Sequence, residues 1–211
     1  SPPMKLLFIH QNFPGQWRHL AAFAVQQGHD VVGIGQQGTA QPEACPKGVR
    51  LVLYPAKGAG TATHKYLQLT EAAVRRGQAI ARTVMSLRKS GFVPDVVCVH
   101  HGWGESLYLK DVLPGVPVLS YCEFYYHGAG ADVGFDPEFP VTLDDRLRIR
   151  SRNMLHALSL LDVDAGLSPT KWQHALFPRP LQSKIAVIHD GTSTEGVTPE
   201  PQGQSSGGAA A

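Results

Sequence analysis

Cysteine is scarce in this 211-residue chain: Cys45, Cys98 and Cys122 stand far apart. That spacing argues against a disulfide framework. Cys98 lies within an apolar run and Cys122 just after another, so both read as small buried hydrophobes of a reducing, cytoplasmic compartment. Charge is also sparse, at 17% of residues and a net +2. So weak a balance gives no reason to expect a nucleic-acid partner. No apolar run reaches the length of a membrane span, and no charged-then-apolar leader opens the chain. Ser1-Pro2-Pro3 reads as a short appendage before a natural start at Met4. No serine sits at a G-x-S-x-G elbow, and no Ser-His-Asp or Cys-His set can be assembled, which removes the usual covalent nucleophiles.

What the chain has is alternation. Strand-like runs at residues 5–9, 31–34, 49–54, 96–99, 118–121, 165–167 and 185–188 are separated by helix-like stretches. The helices are predicted at 15–27, along a stripe of Leu69, Ala73, Ile80, Val84 and Leu87, from about Glu105, after Thr142, and after Ser168-Pro169. Thr142 is a natural cap, followed by Asp144 and Asp145 at the positive end of the helix dipole. Leu143, Leu147, Met154, Leu158 and Leu161 then recur at helical spacing. Such alternation predicts an α/β fold: a Rossmann-like three-layer α/β/α domain with a mainly parallel sheet. Residues 191–211, rich in Gly, Ser, Pro, Thr and Ala, read as a linker or tail. The domain itself is expected over residues 4–190.

Chemistry is expected where strands end, because open α/β sheets bind ligands at their carboxyl edge. The run Val96-Val97-Cys98-Val99 stops in His100-His101-Gly102-Trp103-Gly104. Adjacent residues of an extended chain point opposite ways, so one of the two histidines faces the cleft. An imidazole there can exchange a proton with a sugar hydroxyl or contact a phosphate; otherwise it merely bonds a backbone carbonyl. After the first strand comes His10-Gln11-Asn12-Phe13-Pro14-Gly15, a loop into a helix that either cradles a phosphate or only turns the chain. It carries one glycine, not the three of a dinucleotide fingerprint. Cys122-Glu123-Phe124-Tyr125-Tyr126-His127 opens a long polar-aromatic loop at the same edge, running on to Asp132, Asp136 and Glu138. His127, Asp132 and Asp136 match no metal-ligand template, and no metal is expected. Arg146, Arg148, Arg150 and Arg152 fan around their helix instead of forming one stripe.

Five segments carry a resemblance: M-K-L-L-F-I-H-Q-N-F-P-G-Q-W-R-H-L at 4–20, P-D-V-V-C-V-H-H-G-W-G at 94–104, P-V-L-S-Y-C-E-F-Y-Y-H at 117–127, D-A-G-L-S-P-T-K-W-Q at 164–173 and K-I-A-V-I-H-D-G at 184–191. In this order they resemble the N-terminal domain of family 4 glycosyltransferases of the GT-B fold. The resemblance implies two Rossmann-like domains facing across a cleft, one for the acceptor and one for a nucleotide-sugar donor. It implies transfer with retention of anomeric configuration, usually without metal and with no tightly bound cofactor.

By position, Gly15 matches the family's donor-phosphate glycine, and either His100 or His101 matches its histidine near the reacting sugar. Glu123, Tyr125, Tyr126 and His127 fall where acceptor-contacting loops lie. Two departures stand out: the first loop lacks paired glycines, and no donor-binding C-terminal half with its paired glutamates follows Gly191. The expected partners are that missing half, a sugar or lipid acceptor, and a peripheral membrane contact of the whole protein; the single domain is expected to be inactive. Rival readings are a non-catalytic Rossmann-type module for a nucleotide or phosphorylated ligand, and a sugar-nucleotide epimerase of the same architecture.

Overall fold

The computed structural model describes residues 2–55, 58–127 and 141–191. Seven strands, β1 (Lys5–Ile9), β2 (Asp30–Gln36), β3 (Arg50–Tyr54), β4 (Val96–His100), β5 (Val118–Tyr121), β6 (Ala165–Ser168) and β7 (Ile185–Val187), form one sheet in the order β3-β2-β1-β4-β5-β6-β7. Every pairing is parallel. The apolar runs are continuous instead of alternating because helices cover both faces.

Alternation along a strand sorts residues between two cores. On one side Leu7, Ile9, Val97 and Val99 pack with Ile80, Val84 and Leu87 of α2 (Gln68–Lys89), with Leu109 of the short helix α3 (Leu109–Val112), and with Leu160 of α4 (Leu143–Asp162). On the other, Phe8 and Cys98 pack with Phe13, Trp17, Ala21 and Ala24 around α1 (Arg18–Gln26). Cys98 and Cys122 are buried thiols, and burial pushes each up to about 12. Two short helices, α5 (Lys171–Leu176) and α6 (Arg179–Gln182), bring the chain to β7.

The structure differs from the sequence reading in three places. The apolar residues that mark α4 face outward, with Leu143 and Leu161 each 64% exposed. The helix instead presents His156, Ser159 and Leu160 to the interior. The cap at Thr142 holds as expected: the Thr142 hydroxyl accepts from the Asp145 N–H while the Asp145 carboxylate accepts from the Thr142 N–H. Secondly, the helix expected after Ser168-Pro169 does not start at that pair. Ser168 ends β6 and its hydroxyl donates to the Cys122 carbonyl at 2.7 Å, and Thr170 supplies the cap. Thirdly, the chain after β4 runs through turns, not a helix, until α3 begins at Leu109.

A formal G-x-G-x-x-G run at residues 33–38 lies within β2 and its exit, not between a strand and a helix. A side chain at Gly33 would strike the Phe13 ring at 2.3 Å, so that glycine serves packing. Asp132, Asp136 and Glu138, and residues 192–211, lie outside the described residues.

Candidate functional site

The strand order reverses direction between β1 and β4, and the crevice outside the carboxyl ends at such a switch point is where open α/β sheets bind ligands. The two strands run in register, Ile9 opposite Val99. Each ends in the next residue with a histidine, which places His10 against His100, ring centroids 4.9 Å apart at 69°.

His10 is almost fully buried. Its Nδ1 accepts from the Asn12 N–H at 2.9 Å, so its proton sits on Nε2, which donates to the Gln16 side-chain carbonyl. Burial, with His100 beside it, pushes this imidazole down to about 4. The loop folds over the ring at Gly15, whose φ is +46° and where a Cβ would meet His10 ring atoms at 2.5 Å. Only glycine allows that approach. Trp17, buried beside it, donates its indole N–H to the Ile9 carbonyl at 3.0 Å and fixes where the loop begins.

His100 is equally enclosed, and both its nitrogens are engaged. Nδ1 accepts from the Gly102 N–H at 3.0 Å, which leaves the proton on Nε2 to donate to Glu123 Oε2 at 3.1 Å. The ring stacks on Trp103 at 4.4 Å and 16°. Glu123 follows β5, and its side chain stays one-third exposed. The hydrogen bond from His100 holds its carboxyl below the usual carboxylate range, against the opposing pull of burial. A buried imidazole N–H and a half-open carboxylate thus stand together at the switch point, one a donor and the other an acceptor.

His101 points the other way, as an extended chain requires. It packs against His156 of α4, ring centroids 4.8 Å apart, and against Phe177. Of the aromatics after Glu123, Phe124 and Tyr126 line a small hollow with His100, and the others pack elsewhere. Tyr125 packs on Phe177; Tyr126 lies under the Arg152 guanidinium, 3.6 Å from its ring; His127 Nε2 donates to the Leu176 carbonyl at 2.6 Å. Tyr125, Tyr126 and His127 border an open hollow of about 480 Å³ with Arg146, Arg150 and Met154. The structure therefore brings together His100, Glu123 and, through His10, Gly15; His101 and Tyr126 border a small hollow of about 40 Å³ with His100 and Glu123, while Tyr125 and His127 do not line it.

Sequence reasoning passed over four contributors. His10 directly follows its strand and His100 closes its own, so the same signal would have found it. Trp103 and Gln16 act through contacts that only the tertiary fold creates. Tyr121, the last residue of β5, donates its hydroxyl to Asp190 Oδ2 at 2.8 Å, which ties the segment after β7 to the same sheet edge. Beside that bond a hollow of about 410 Å³ is lined by Gly15, Gln16, Trp17 and Asp190.

The family model for the glycosyl transferase family 4 group matches residues 27–197. The chain belongs to the glycosyl transferase family 4 group. No curated protein sequence matches it. Among solved structures, a UDP-glucosyltransferase from Polygonum tinctorium superposes with a TM-score of 0.56 at 12% identity, over 96% of this chain and 56% of that one. A UDP-glucose:anthocyanidin 3-O-glucosyltransferase in complex with UDP gives 0.55 at 13%, over 95% and 56%. A transferase from Siraitia grosvenorii, also in complex with UDP, gives 0.53 at 15%, over 89% and 50%. The shared feature is the fold, and this chain spans about half the length of those structures. The family 4 domain is thus a Rossmann-like unit of the kind found in GT-B glycosyltransferases, with its polar residues gathered at one sheet edge.

Proposed function

We propose that this chain is the acceptor-side domain of a retaining glycosyltransferase that uses a nucleotide sugar and moves a hexosyl unit to a hydroxyl of a glycan, lipid or small molecule. The observation that carries the reading is the His100–Glu123 pair at the switch point. A sugar hydroxyl both donates and accepts, and an imidazole N–H beside a carboxylate matches it on both counts. The partner half would hold the donor, and rate enhancement would come from orientation and from stabilising the departing phosphates across the cleft. Gly15 lies beside the open hollow at that edge, where a donor phosphate would approach.

Alone, with UDP-glucose and a hydroxyl acceptor, the chain is expected to give no product; turnover would overturn the reading. In the two-domain protein, His100→Ala and Glu123→Gln are each expected to lower transfer more than about tenfold, the low end of an acid–base or orienting contribution. Transfer kept within that range in both variants assigns the pair a structural role only.

A peripheral membrane contact of the whole protein has separate support. No described helix is long and apolar enough to cross a membrane. The outward face of α4, however, joins Leu147, Met154, Leu158 and Leu161 to Arg146 and Arg150. Basic and apolar residues on one exposed helix face suit an anionic lipid surface. The chain is expected to float with vesicles containing phosphatidylglycerol and not with phosphatidylcholine alone. Leu158→Glu should abolish flotation, and equal flotation of that variant would refute the contact.

A further inference from the structure

A cavity of about 160 Å³ lies between α2, α4 and the turn after β4, and neither His100 nor Glu123 lines it. Its lining holds two arginines, Arg76 and Arg152, two histidines, His101 and His156, and no carboxylate. Several of its polar atoms are buried without a partner among the described residues: both ring nitrogens of His101, Nδ1 of His156, Oγ1 of Thr70 and Oε1 of Gln11. Buried polar atoms are almost always paired, and an unpaired one costs about 1–3 kcal/mol. So many orphans around one space mark a site built for something polar.

Charge narrows the choice. Arg76 is partly compensated, since its Nε lies 3.9 Å from Glu105 Oε1 and 3.1 Å from Gln36 Oε1. Arg152 donates one bond to the Tyr126 hydroxyl at 2.6 Å and has no carboxylate partner among the described residues. A guanidinium carries five N–H donors in a fork, so Arg152 keeps several free. Burial holds His101 and His156 neutral, each with one N–H to give. The Thr70 hydroxyl adds another. A neutral polyol would meet an excess of donors and leave the Arg152 charge unmatched. An oxyanion would take up both.

We propose that this cavity is a subsite for an oxyanion, a phosphate or carboxylate borne by the acceptor, held by Arg152 with His101, His156 and Thr70. The proposal rests on the acceptor-side reading above and adds to it the charge of the acceptor. It also gives His101 a task distinct from that of its neighbour: His100 faces the transfer site, and His101 faces the acceptor's anionic group.

The test titrates the chain with glucose 6-phosphate, inorganic phosphate, acetate and glucose at fixed ionic strength, following the histidine side-chain resonances by NMR and the thermal midpoint. Saturable shifts of the His101 and His156 rings with the anions but not with glucose are expected, and glucose 6-phosphate should bind more tightly than inorganic phosphate. Arg152→Gln should weaken binding at least about tenfold, the effect of losing one charge-assisted bond. Arg148→Gln, exposed and paired with Asp145, should leave it unchanged. Thr70→Val offers a second variant that removes a donor without touching a charge. Glucose binding as well as its phosphate, inorganic phosphate binding as tightly as glucose 6-phosphate, or binding indifferent to Arg152→Gln would each overturn the proposal. Transfer by the two-domain protein is measured separately, so an anion site that fails while transfer persists sinks the subsite and leaves the transferase reading intact.

Discussion

Acidification from about pH 7.5 to about pH 5 is expected to remove roughly 6 kcal/mol of stability through three buried imidazoles, His10, His101 and His156. Burial and neighbouring positive charge push His10 and His156 down to about 4, and hold His101 well below its ordinary value. The unfolded chain titrates them near about 6.5. Between those values the unfolded state takes up protons that the folded state refuses. The stabilisation is therefore fully present above about pH 6.5 and is lost as the pH falls, at up to about 1.4 kcal/mol per pH unit for each ring.

Glu105 works in the opposite sense. It is fully buried, its Oε1 accepts from the Tyr54 hydroxyl at 3.2 Å, and burial raises its carboxyl. Protonating it relieves the fold as pH falls, but it supplies one proton against three. Domains of this size hold about 5–15 kcal/mol, so the net loss is a large share of that margin. Urea unfolding at about pH 7.5, 6 and 5 measures the slope. His156→Phe, which keeps a ring in the same apolar surroundings, should remove about a third of it. A stability that stays flat over that range would show that these rings titrate normally in the fold.

The acid sensitivity comes from the part of the molecule that sequence conveyed least. The strands were legible because a parallel sheet buried on both faces demands unbroken apolar runs, and Val96-Val97-Cys98-Val99 is one. The ends of those runs were legible too: polar residues stop a buried strand, so His100 and His101 announce the edge of the sheet. Their opposite orientation followed from the two-residue repeat alone. The inward face of α4 was not legible. Its leucines have the right spacing for a core stripe yet lie in solvent, while His156 and Ser159 face inward. Periodicity locates a helix and gives no sign of which side meets the sheet when the buried side is polar. The pairing of Glu123 with His100 was likewise hidden, because it joins the ends of two strands 23 residues apart. Register across the sheet supplies that contact.

The largest single-residue effect is expected at Gly104, in the turn that carries His100–Trp103 away from β4. Its φ is +98°, where a residue with a Cβ is strained by about 1–3 kcal/mol. A Cβ there would also lie 2.4 Å from the Ala73 carbonyl oxygen and 2.8 Å from the Ala73 carbonyl carbon and Cα. Those are backbone atoms of α2, so no rotamer change removes the clash; the helix or the turn must move. Overpacking of that kind adds about 1–3 kcal/mol or more. Ala73 sits on the buried face of α2 with Ile80, Val84 and Leu87, so the displacement propagates into the core. Gly104→Val should therefore cost about 4 kcal/mol, the middle of the combined range, or about 8–16 °C in melting temperature for a domain of this size. Gly115→Ala, where a Cβ meets nothing within 4 Å, is the control and should stay within about 0.5 kcal/mol of the parent. A Gly104→Val melting point within about 3 °C of the parent would mean that the turn and α2 are not in the contact described. With the expected loss, Trp103 should also leave its stack on His100, which a change in tryptophan fluorescence of the still-folded fraction would report.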